Sequence, residues 1–388
     1  MRKLSLVALS LIFLLSACAP SIGKQNEVVQ TKEKDKGKAI IPKYNISDKY
    51  YRTILPFESG AARGLVVNNI NTRFDLNEFE IGLMRIAQNS FDTEKYFFRE
   101  GQEIKEKTIK QWLNRKYTPE QAKANGVKES ENIGLNPVDT GPVGEPSSPI
   151  YLAHILEHDY LTKDDEGNVS LAGITIGLAL NSTYYYKIQA DNGGTIQKEQ
   201  KIDHDDMVRE GKKIAEEVVK RIRNMKNLAD IPITIGLFAQ ESKTSVVPGN
   251  FFAYTTVDKG SSIINGWEPI NEKYFLFPSS EAEEAHRDDV IAFKNFKQDV
   301  EKYFPNFNGV IGRAFYVGDQ LHELNITIPI QFYGKTEGIG FTQYVTGLVM
   351  EHFPEYISVT VSVTSVDGPE SLIVRKANEN EPFVHIYQ

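Results

Sequence analysis

Apolar residues recur along the chain at intervals of three and four in some stretches and of two in others, and the two periods predict different elements. Leu76, Phe79, Leu83 and Ile86 share one face of a helix over 74–87, and Ile109, Trp112 and Leu113 mark a second helix. Ile150 to Tyr160 predicts a short helix. Gly173 to Leu180 alternates Ile174, Ile176, Leu178 and Leu180, a strand that continues into Tyr184-Tyr185-Tyr186. Asp203 to Asp206 can cap a long helix carrying Met207, Ile214, Val218, Ile222 and Met225 on one face, and Pro232 to Phe238 returns as a strand. The three together form a β-α-β unit.

Further on, Val290, Phe293, Phe296 and Val300 predict a helix, followed by strands over 310–317 and 324–332 and a helix over about 336–353. Alternating Val359, Val361 and Val363, then 383–387, complete an α-β-β-α-β-β succession. The expected class is α+β. Gly and Pro crowd 126–149, which reads as a long surface loop. At 388 residues the chain exceeds what one hydrophobic core sustains, so two mixed domains are expected, over 44–277 and 278–388 with the boundary near Pro278. Residues 18–43, rich in Lys, Gln, Glu and Asp, predict a flexible tether.

The first seventeen residues have another pattern. Arg2 and Lys3 precede an apolar run from Leu4 to Leu15, too short to span a membrane and of the length of a signal-peptide core. Leu15-Ser16-Ala17-Cys18 then resembles a lipobox, where cleavage between Ala17 and Cys18 leaves a diacylglycerol-bearing cysteine as the first residue. Cys18 is the only cysteine, which excludes an intramolecular disulfide and a thiolate metal cluster. Lipid on Cys18 would hold the protein at the outer face of the cytoplasmic membrane, with the lipoprotein-processing enzymes as partners.

A net charge of −8 argues against nucleic acid as a partner. Two patterns carry candidate chemistry. His154-Ile155-Leu156-Glu157-His158 matches H-x-x-E-H, which on a helix sets two imidazoles on one side and a glutamate beside a metal-bound water, the arrangement of a zinc-dependent hydrolase. A polar helix face is the plainer explanation. His204-Asp205 resembles the paired residues of metal-dependent phosphohydrolases, although Asp203, Asp205 and Asp206 are better explained as helix-capping residues. No cofactor is called for. Tyr184-Tyr185-Tyr186 and Phe251-Phe252-Ala253-Tyr254 could line a groove for a peptide or cell-wall glycan, or else serve as core.

Several segments together resemble the CamS family of sex-pheromone lipoproteins of Gram-positive bacteria: 51–57 (Tyr51 to Phe57), Ala62-Arg63-Gly64-Leu65, Gly134-Leu135-Asn136-Pro137, 177–182, Gln343-Tyr344-Val345-Thr346 and 384–387. The resemblance implies a precursor whose cleaved signal peptide is trimmed to a hydrophobic heptapeptide, here Leu11-Ile12-Phe13-Leu14-Leu15-Ser16-Ala17. It transfers no chemistry to the mature body, for which a binding or interaction module is the favoured expectation.

Overall fold

The computed structural model describes residues 27–31, 38–42, 46–47, 49–142, 145–190, 193–303, 309–332 and 334–387. The leader, with Leu11 to Ala17 and Cys18, lies outside them. In chain order the strands are β1 (Glu27–Thr31), β2 (Lys38–Ile41), β3 (Arg52–Thr53), β4 (Phe97–Glu100), β5 (Leu152–Lys163), β6 (Asn168–Asn181), β7 (Thr183–Gln189), β8 (Thr195–Lys201), β9 (Ile233–Gln240), β10 (Asn250–Val257), β11 (Glu268–Pro269), β12 (Glu272–Phe277), β13 (Ile311–Val317), β14 (Gln320–Pro329), β15 (Ser358–Ser365), β16 (Gly368–Arg375) and β17 (Phe383–Ile386). The helices are α1 (Arg63–Asn69), α2 (Arg73–Ala87), α3 (Glu106–Leu113), α4 (Pro119–Ala124), α5 (His204–Arg223), α6 (Ser280–Ala285), α7 (Arg287–Tyr303) and α8 (Lys335–His352). The class is α+β.

The first sheet runs β11-β10-β9-β6-β5-β4-β3, with the β1-β2 hairpin attached to the start of β6. β6 alternates by size as well as by polarity. Ile174, Ile176, Leu178 and Leu180 pack with Ile214, Val218 and Ile222 of α5, and α5 links β6 to its parallel neighbour β9. The opposite face carries Gly173, Thr175, Gly177 and Ala179, and α2 lies against it through Phe79, Leu83 and Ile86. Small residues are required there. A Cβ on Gly177 would meet the Phe79 ring at 2.8 Å, and one on Gly236 would meet Phe251 at 2.8 Å.

The second sheet runs β12-β13-β14-β15-β16-β17, with β14 and β15 parallel across the α8 crossover. Its inner face is covered by α7 and α8, whose Phe293, Phe296 and Phe341 are fully buried against Val359, Val361 and Val363. Arg375, itself buried, donates to the carbonyls of Phe353 (2.9 Å) and Pro354 (2.6 Å), which satisfies acceptors at the end of α8. The outer face meets α2. Glu78 accepts from the Arg85 guanidinium and from Tyr274 Oη at 2.6 Å, and Arg85 also pairs with Glu272 at 2.7 Å. The Arg85 guanidinium lies 5.0 Å from the Phe315 ring centre, and Arg313 lies 4.5 Å from that of Phe74.

Four expectations need correction. The segment 150–160 is no helix: Leu152–Lys163 is strand β5, hydrogen-bonded between β4 and β6. A strand buried on both faces loses its alternation, and its apolar run then imitates a helical one. The tether is also interrupted, because 27–31 and 38–41 pair as β1 and β2, with Val29 and Ile41 buried beside Val169. Tyr184-Tyr185-Tyr186 does not extend β6; it lies on β7, which pairs with β8 in a separate two-stranded ribbon. Finally, β12 belongs to the second sheet, so the change of sheet comes before Glu272 and not at Pro278.

Substituting Gly177→Ala should cost about 1–3 kcal/mol, because helix and sheet cannot separate without opening the core. A methyl group on Gly64 of α1 would meet nothing within 4 Å, so Gly64→Ala should stabilise by about 0.5–1 kcal/mol. Urea denaturation midpoints check both, and equal midpoints for the two variants would contradict the packing described.

Candidate functional site

β4 pairs with β5 only from Phe97↔Leu161 to Glu100↔His158, so β5 runs on beyond its partner. A cavity of about 200 Å³ lies at this step, lined by residues of α1, α2, the 100–104 segment, α3 and His154 to His158 of β5. Most of its wall is apolar, including Val66, Met84, Phe98, Ile104 and Ile109. Glu80, Glu100 and Arg63 also line it.

The residues of the H-x-x-E-H pattern all line this cavity, but a strand distributes them differently from a helix. His154 and His158 have the same parity and fall on the α2 face, where His154 stands edge-on to Phe79 at 6.4 Å and His158 edge-on to Phe98 at 4.9 Å. Glu157 has the other parity. Its carboxyl accepts from the backbone N–H of Ile104 at 2.8 Å and of Glu103 at 3.2 Å, and so fastens the segment that follows β4. Zinc hydrolysis requires the glutamate beside a water shared with both imidazoles, and these two faces separate them. No group of three or more potential ligands gathers among the described residues. The zinc-hydrolase expectation is therefore withdrawn.

Desolvation dominates the electrostatics. Burial lowers His154 to about 4 and His158 to about 3, so both rings are neutral at pH 7. The Asn69 side-chain amide donates to His154 Nδ1 at 3.3 Å, which places the ring proton on Nε2. His158 Nδ1 is buried without a hydrogen-bond partner. Burial and the neighbouring Asp159 raise Glu157 well above the usual carboxylate range. Burial raises Asp159 only to about 6, because Arg99 pairs with it at 2.8 Å. Burial thus favours the protonated form of Glu157 more than that of Asp159, which Arg99 holds closer to its usual range. At the cavity mouth Glu100 accepts from Gly60 N–H at 2.5 Å and lies 3.6 Å from Arg63, and burial together with Glu100 raises Glu80.

Other candidates are not brought into this site. Asp203 caps α5 by accepting from the backbone N–H of Asp205 at 2.9 Å, and the His204 ring stands 5.7 Å from that of Phe252. Phe251 is core. Tyr184 and Tyr186 stack at 5.5 Å on the separate ribbon, beside a wide hollow that Pro142 and Pro146 also line. Sequence reasoning passed over Glu80, Glu100, Asn69, Asp159 and Arg99. The available signal was the density of ionisable residues, His154 to Tyr160, inside an apolar run.

The family model described as "CamS sex pheromone cAM373 precursor" matches residues 57–381. A crystal structure of a sex pheromone precursor from Lactobacillus salivarius subsp. salivarius UCC118 superimposes with a TM-score of 0.79 at 30% identity, covering 90% of this chain and 99% of that one. The C-terminal domain of the sex pheromone staph-cAM373 precursor from Staphylococcus aureus gives 0.70 at 32% identity, covering 84% of this chain and 100% of that one. No curated protein sequence matches.

The raised Glu157 carboxyl gives a pH test. Glu157 is raised in the folded state, so its contribution to stability is complete below the unfolded carboxyl value and is lost as pH rises through the folded one. Glu157→Gln keeps the acceptor for Ile104 and a donor toward Asp159 with no proton to lose. Its stability relative to wild type should therefore rise as pH rises above the unfolded carboxyl value. The imidazoles act with the opposite sign: their neutral forms stabilise fully above 6.5, and this is lost as pH falls toward 4. Urea midpoints across pH check both, and a pH-independent difference for Glu157→Gln would remove the raised Glu157 from the account.

Proposed function

The chain belongs to the CamS family of sex pheromone cAM373 precursors, and from that premise we propose a lipid-anchored precursor with two products. Cleavage between Ala17 and Cys18 releases the leader, from which Leu11 to Ala17 is trimmed as a hydrophobic signalling peptide. The remainder is held at the outer face of the cytoplasmic membrane by the lipid on Cys18. What supports the anchor is the conjunction of Arg2-Lys3, a short apolar run and Leu15-Ser16-Ala17-Cys18 around the only cysteine. Two acyl chains on one residue meet the condition for stable anchoring, at about 0.8 kcal/mol per buried methylene. Among the described residues no helix is long and apolar enough to cross a membrane.

The body acts as a binding module centred on the cavity at the β4 step. The observation that carries this reading is a cavity of about 200 Å³ whose largely apolar wall also carries Glu80, Glu100 and Arg63.

Growth with radiolabelled palmitate should label the wild-type chain, and Cys18→Ser should lose both the label and its place in the membrane fraction. Retained labelling would end the anchor proposal. Synthetic Leu11 to Ala17 should induce clumping in a pheromone-responsive recipient strain, and silence across a wide concentration range would confine signalling to relatives of this chain.

A further inference from the structure

The cavity at the β4 step combines an apolar wall with a mouth whose charges do not cancel. Glu80 and Glu100 contribute two carboxylates and Arg63 one guanidinium, 3.6 Å from Glu100. His154 and His158 also line the cavity as neutral imidazoles, and burial favours the protonated form of Glu157. One negative charge is left over. An anion would meet two carboxylates at the entrance, and a purely apolar guest would leave the excess charge unanswered.

We propose that this cavity binds a monocationic amine with a short apolar tail, the ammonium held between Glu80 and Glu100 and the tail seated against Phe98, Ile104 and Ile109. The inference rests on the binding-module reading and names its ligand class. Size agrees: a cavity of about 200 Å³ has room for a short alkyl amine and not for a long-chain lipid. Charge agrees as well, since a single ammonium neutralises the mouth and relieves the repulsion between Glu100 and Glu80. Arg63 lies on the rim and is half exposed, with its guanidinium 5.4 Å from the Phe57 ring centre, so it moderates the acidic field without filling the cavity.

Titrating the full chain with hexylammonium, hexan-1-ol and hexanoate, followed by ligand-observed NMR, separates the possibilities. Hexylammonium should bind about tenfold tighter than hexan-1-ol, the equivalent of about 1.4 kcal/mol, and hexanoate should not bind. Glu80→Gln with Glu100→Gln should bring the amine down to the level of the alcohol. Arg63→Gln, at a half-exposed position, should tighten the amine and leave the alcohol unchanged. Equal binding of amine and alcohol to wild type would overturn the ammonium assignment while leaving the binding-module reading intact. Binding of none of the three would overturn both. Amine binding that ignores both the paired Gln substitutions and Arg63→Gln would place the ligand elsewhere and overturn the site.

Discussion

Between His154 and Tyr160, strand β5 carries five ionisable side chains, all withdrawn from water, and the surrounding structure is arranged around that withdrawal. Each group has its own solution. The imidazoles give up their charge, Glu157 is pushed toward its protonated form and ties down the backbone after β4, and Arg99 follows Asp159 into the interior and pairs with it. Charged groups enter a low-dielectric interior only when paired or neutralised, and β5 uses both routes within three consecutive residues. The shortness of β4 then determines where this polar strand meets a space large enough for a guest. A longer β4 would cover the edge of β5 and close the cavity.

The helix α2 holds the two sheets in register. One of its faces enters the first core through Phe79, Leu83 and Ile86, and another offers Glu78 and Arg85 to Glu272 and Tyr274 at the edge of the second sheet. Apolar burial supplies affinity on the first side without much direction. The second side supplies direction, since a guanidinium fork between two carboxylates accepts few orientations. Because α2 also contributes Glu80 and Met84 to the cavity wall, the same helix couples the candidate site to the placement of the second sheet.

Legibility in the sequence followed burial. Elements with one buried face, such as α2, α5, α7 and β15, announced themselves through clean periods, and α5 also through Asp203. β5 did not, since a strand covered on both faces has no period to display, and Leu152, Ile155 and Leu156 fall at helical intervals by coincidence. The misreading spread to function. His154 and His158 share a face in either geometry, but on a strand they lie about 13 Å apart along the chain, and only a helix would gather both with Glu157. The hairpin within the supposed tether rests on a few apolar residues, Val29 and Ile41 foremost, in a strongly polar context, and composition averaged over the stretch concealed them. Glu80 and Glu100 reach the same cavity from α2 and β4, and nothing local in the sequence joins them.

That hairpin also sets a ceiling on height. Glu27, the first residue of β1, is nine residue steps from Cys18, a reach of at most about 32 Å at full extension. β1 runs alongside the start of β6, Gln30 opposite Asn168, so the end of the sheet bearing the 164–167 turn is the one tied to the leader-proximal chain. From that turn to Glu157 is about 20 Å along β5. A lipid on Cys18 would therefore hold the cavity within a few tens of ångströms of the bilayer, in the layer that amphiphiles leaving the membrane enter first.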